Sequence, residues 1–109
     1  MTFYNKVILI GDLAKGPDTR YTPSGVQVTR FALRFESEQG GGETRRLQTV
    51  EVVALGRLSK SGKIPLSEGC RVLVEGRIQT RTWKTMEGQK RERLEIIAEK
   101  VCPLNDQRP

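Results

Sequence analysis

Arg71, Arg77, Arg81 and Trp83 share one parity within the run Cys70 to Trp83. In an extended chain they project from one face, opposite Cys70, Val72, Val74, Gly76 and Ile78. Guanidinium groups can follow a phosphate backbone, and an indole offers a flat surface for an unstacked base. Lys84, Lys90, Arg91 and Arg93 cluster around a following hairpin, and Arg45 and Arg46 flank the glycines Gly40 to Gly42. Two cationic hairpins of this kind can embrace a polyanion. Tyr21, next to Arg20 at a turn, is a further ring. The same residues also fit a solvated outer sheet face, with Trp83 partly buried at its hairpin base and Tyr21 capping the core.

Other chemistries find no machinery. Histidine is absent, which removes imidazole acid–base catalysis and histidine-ligated zinc. Cys70 and Cys102 are too few for a four-thiolate site and too far apart in sequence for a CxxC pair, so both read as reduced structural residues. The segment Gly56 to Lys63 has one residue too many between its glycines for a phosphate loop, and Ile64 stands where a hydroxyl is required. Carboxylates are scattered without a paired nucleophile, so no catalytic residue, metal or cofactor is expected and an enzyme is the weakest reading.

These side chains must be positioned by one small domain. The chain has 109 residues, 36% hydrophobic and 29% charged, so its core is thin. Lysine and arginine outnumber aspartate and glutamate by 19 to 13, and the net charge of +6 favours a polyanionic partner. Arginine outnumbers lysine, which favours planar groups able to stack as well as to meet phosphate. No apolar run is long enough for a membrane span and the start lacks a secretory pattern, so a soluble cytoplasmic protein is expected.

The elements read as strands. Tyr4 to Leu13 is a β-branched run closed by Gly11; Gly16 to Asp18 then punctuates the chain before a short Arg20-Tyr21 element and the turn Thr22-Pro23-Ser24-Gly25. Val26 and Val28 alternate, then Phe31, Leu33 and Phe35 resume on the other parity, which predicts a bulge near Thr29-Arg30. Leu47 to Leu55, Cys70 to Trp83 and Arg93 to Val101 follow, the last two joined by Met86 to Gln89. Gly56 to Gly69 is a connection with room for one short helical turn before Pro65. Five main strands of irregular spacing with one long connection predict a small all-β barrel and exclude a βαβ nucleotide fold.

Asn5 to Gly11, Pro17-Asp18, Arg20 to Gly25 and Val74 to Trp83 together resemble the bacterial single-stranded DNA-binding protein family, over roughly residues 4 to 104. The resemblance implies an OB-fold, a five-stranded Greek-key barrel spanning residues 1–104, with 105–109 as a short polar end. It implies single-stranded DNA as the partner, bound without sequence readout by stacking and phosphate contacts, in replication, repair or recombination. It further implies self-association, tetramer slightly ahead of dimer, with strand 1 offering the pairing edge. The chain is also similar to primosomal replication proteins, shorter relatives of the same fold, which leaves a replication-restart adaptor as an alternative; an RNA-binding OB module is another. Two features depart from the family pattern. Residues 105–109 stand where that pattern continues into a long linker with an acidic, aromatic tip, so recruitment of replication or repair proteins through such a tip is not carried over. Positions where the family often has stacking aromatics hold Gln39, Thr49 and Leu55, and Trp83 alone keeps its ring. Charge is accordingly expected to carry an unusually large share of the affinity.

Overall fold

The computed structural model describes residues 2–39, 44–56 and 67–104. Its five strands are β1 (Val7–Tyr21), β2 (Gln27–Gln39), β3 (Thr44–Leu55), β4 (Arg71–Lys84) and β5 (Lys90–Pro103). They close into a barrel in the order β1-β2-β3-β5-β4. Every neighbouring pair is antiparallel except β3 and β5, which run parallel over Glu51–Ala54 and Glu95–Ala98. Closure leaves few free edges, and the long connection between β3 and β4 is what a parallel β3–β5 contact requires. The expected OB barrel is the observed architecture. The short helical turn expected between Gly56 and Gly69 falls mostly outside the described residues.

Period-two alternation fills the interior. Phe31 and Leu33 of β2, Val52 and Ala54 of β3, Val72 and Val74 of β4, and Ile96 and Ala98 of β5 all point inward with Leu13, and Val7, Leu9, Val50 and Cys70 pack against them. Both cysteines are free thiols. In β5 the inward parity changes after Ala98: Gly76 pairs with Ala98 but Glu75 with Lys100, so Glu99 is an extra residue and Val101 returns to the core. The backbones approach so closely at that bulge that a Cβ on Gly76 would collide with the Ile97 carbonyl.

The first two strands depart from the sequence reading. The strand expected over Tyr4 to Leu13 and the separate Arg20-Tyr21 element are one continuous β1, and Gly16 to Asp18 does not break it. Leu13 faces Leu33, Lys15 faces Ala32 and Asp18 faces Arg30, so the extra residues of β1 are absorbed as two irregularities. The bulge expected in β2 near Thr29-Arg30 is absent, because the β2–β3 register runs unbroken from Val28↔Leu55 to Gln39↔Thr44. The apparent phase change arises because the inward position before Phe31 is Thr29, 3% exposed, whose hydroxyl lies 2.9 Å from that of Thr19. Val26, which suggested the opposite phase, is 43% exposed and precedes the strand.

β1 spans two neighbours in succession: Val7–Asp12 pairs with β4 and Asp12–Tyr21 with β2. Leu13 is bonded on both sides, to Leu33 of β2 and through its backbone to Gly69 and Cys70, whereas Val7–Gly11 has one edge unpaired among the described residues. Ahead of the strand, Asn5 continues the β4 ladder with its side chain. Its Oδ1 accepts from the Ile78 N–H and its Nδ2 donates to the Ile78 carbonyl, both at 2.9 Å.

Candidate nucleic-acid interface

Directly opposed residues on paired strands project to the same side, so the register lays out the outer face row by row. One row is Arg30, Val53, Ile97 and Arg77; the next is Ala32, Glu51, Glu95 and Gln79. Beyond Glu51 and Glu95 the parallel pairing stops. The β2–β3 arm carries Arg34 opposite Thr49, and the β4–β5 arm carries Arg93 opposite Arg81 and Arg91 opposite Trp83. A cleft of about 730 Å³ opens between the arms, with Thr49 and Glu51 on one wall, Arg93 and Leu94 on the other, and Lys15 and Ala32 alongside. A second depression of about 430 Å³ continues it past Lys15 and Glu51 to Arg30.

The centre of this face is an ion-pair network. Glu95, only 2% exposed, accepts from Arg30 Nη1 at 2.9 Å and lies 3.4 Å from Arg81 Nε. Glu51 lies 3.5 Å from Arg30 Nη1 and 3.6 Å from Arg93 Nη1. A carboxylate this buried must be paired, and Arg30 and Arg81 meet that need from both sides. The Arg81 and Arg93 guanidinium carbons lie 4.9 and 6.0 Å from the Trp83 ring centroid. As the opposed pair one row inward, they approach the indole from the barrel side. Trp83 is 38% exposed, an amphipathic ring backed by cations, one of which, Arg93, lines the cleft.

A family model for the single-strand binding protein family matches residues 4–104. The chain belongs to that family. A single-stranded DNA-binding protein of Thermotoga maritima is 37% identical over 112 residues, covering 100% of this chain and 79% of that one. Another from Wolinella succinogenes is 33% identical over 94% of this chain and 65% of its own, and one from Thermus thermophilus is 39% identical over 94% of this chain but only 39% of its own. The solved structure "Plasmodium falciparum SSB complex with ssDNA" superposes with a TM-score of 0.82 at 25% identity, covering 96% of this chain and 98% of that one.

In this family member the expected binding residues separate into groups. Trp83, Arg81, Arg91 and Arg93 share one face of the β4–β5 arm. Arg77 lies on the same face, paired to Glu99 at 3.3 Å. Lys84 and Lys90 are opposed to each other on the reverse face of the arm. Arg71 stands at the far end of β4, bonded to Asp12 at 3.1 Å. Arg45, on the β2–β3 arm, pairs with Glu36 at 3.2 Å, and Arg46 takes the alternate face opposite Ser37. Tyr21, 66% exposed, sits at the β1–β2 hairpin, the other end of the ladders from Trp83. Thr49 and Leu55 are exposed on β3 in register with Glu51, while the Gln39 side chain lies outside the described residues.

Four residues of this outer face were missed by the sequence reading: Lys15 and Arg30, which line the two depressions, Arg34 of the β2–β3 arm, and the buried acceptor Glu95. For the arginines a signal existed, because Arg30, Ala32 and Arg34 alternate strictly with Phe31, Leu33 and Phe35. For Glu95 there was none, since a carboxylate before two adjacent isoleucines looks solvent-facing.

Proposed function

We propose that this chain binds single-stranded DNA without sequence readout, as a non-enzymatic protein of replication, repair or recombination in the cytoplasm. The observation that carries this reading is an exposed Trp83 ring backed by Arg81 and Arg93, the latter lining a cleft between two arms. A base stacks on the indole while Arg34, Arg91 and Lys15 meet phosphates; none of these three has a carboxylate partner among the described residues. Stacking tolerates any base because every base has a π-face. Membership of the family, and relatives named single-stranded DNA-binding protein, support the same conclusion.

Self-association through β1 belongs to this proposal. Val7–Gly11 has one unpaired edge among the described residues, and Ile8 and Ile10 are 58% and 52% exposed. A competition titration with single-stranded DNA, duplex DNA and RNA of equal length, combined with sedimentation, tests the whole reading. Preference for the single DNA strand by an oligomer is the expected result. Preference for RNA, or no nucleic-acid binding, overturns it.

A further inference from the structure

The cleft places three arginines, Arg30, Arg81 and Arg93, around two carboxylates, Glu51 and Glu95, so most of its local positive charge is balanced from within. A guanidinium already neutralised by a fixed carboxylate adds little when a phosphate arrives: it must leave its partner or share it. Glu95 is buried and held from two sides, so it stays in place. Glu51 is different. Its side chain is 26% exposed, it lines both depressions of the cleft, and it stands at 3.5 to 3.6 Å from its two arginines rather than in tight contact.

We infer that Glu51 is an affinity-setting residue of this cleft, a built-in counterion that limits how many phosphates Arg30 and Arg93 can neutralise. Unstacked bases on Trp83, more than backbone charge, then hold the ligand. This rests on the binding reading above and deepens it: the polyanion competes with a resident carboxylate, so binding through the cleft loses less with salt than its arginine content suggests. The direction is opposite to the large charge contribution expected from the missing aromatics at Gln39, Thr49 and Leu55.

The test is Glu51→Gln, which keeps the shape and removes the charge, titrated across a salt series with oligo-dT and, separately, with inorganic polyphosphate, a polyanion without bases. Glu75→Gln, the same charge change outside the cleft, is the control, and thermal melting establishes that each variant folds. Freeing one arginine for one phosphate steepens the slope of log affinity against log salt by about 0.7 on a single strand. The expected result is that steepening for Glu51→Gln, with a several-fold gain in affinity at low salt, and a slope unchanged from wild type for Glu75→Gln. An unchanged slope for Glu51→Gln, an equal steepening in the control, or weaker binding at every salt overturns the inference. If the wild-type protein ignores oligo-dT, the single-strand reading fails, and the polyphosphate slopes still decide the role of Glu51.

Discussion

The Arg81 guanidinium carbon lies 4.9 Å from the centroid of the Trp83 ring, two residues along the same strand. This contact makes the indole a probe of its own binding site. A base stacking on the opposite face displaces water and quenches emission, so oligo-dT should quench Trp83 fluorescence. Trp83→Ala should cost about 1 to 3 kcal/mol of affinity and leave the salt slope unchanged. An unaltered spectrum at saturation, with binding shown by another method, would place Trp83 outside the path.

The arginines divide by whether a carboxylate already holds them. Arg77 and Arg81 are paired to Glu99 and Glu95, whereas Arg34 has no carboxylate partner among the described residues and lines a depression beside Arg71. Arg34→Ala should flatten the slope of log affinity against log salt by about 0.7. Arg77→Ala with Arg81→Ala should flatten it by less than two such increments. Salt-series titrations of the two variants check the ordering.

The limits of the sequence are visible in the same residues. Alternation along Cys70 to Trp83 located the Trp83 face, because β4 keeps one parity throughout. It could not separate Arg71 from Trp83, because parity says nothing of distance along a strand, and these two stand at opposite ends of β4. Nor could it find the partner carboxylates, which arrive from β3 and β5 through a parallel contact between segments far apart in sequence. The misplaced β2 bulge has a related cause. A buried, hydrogen-bonded threonine pair at Thr19 and Thr29 looks polar in sequence and therefore solvent-facing.

Gly76 should resist substitution. Its Cβ-free backbone lets β4 approach β5 at the Glu99 bulge, where an added methyl meets the Ile97 carbonyl. Gly76→Ala should lower stability by about 1 to 3 kcal/mol, as overpacking of a close contact does. Thermal or denaturant unfolding measures it; a melting temperature equal to wild type would show that the strands can separate there at no cost.

Response to pH should be flat near neutrality. The chain has no histidine, and Lys6 and Glu75 form an ion pair whose Nζ and Oε2 lie 2.6 Å apart. The hydrogen bond and the charge of the partner raise Lys6 above its ordinary value and lower Glu75 below its own. The depressed Glu75 contributes stability above its unfolded-state pKa, and this is lost as pH falls through the folded value. The raised Lys6 contributes below its unfolded-state pKa, and this is lost as pH rises through the folded value. Both losses lie outside the neutral range. Melting temperatures across pH should show a plateau, and Glu75→Gln should remove this pair's share of the fall on the acid side.

Assembly can be separated from binding. Ile8 and Ile10 alternate with Val7 and Leu9, which pack against the core, so the two isoleucines face outward along the half of β1 that has an unpaired edge. Pairing that edge with a second copy would satisfy its backbone groups and cover both side chains, continuing one sheet across two subunits. Wild-type protein should sediment as a multiple of 12.3 kDa, with tetramer favoured over dimer. Ile8→Lys with Ile10→Lys places like charges on that edge and should shift the mass toward the monomer. Trp83 lies on a different arm, so its emission in the free protein should not change. A wild-type monomer at micromolar concentration would defeat the assembly reading, and a variant that stays fully assembled would move the interface away from β1.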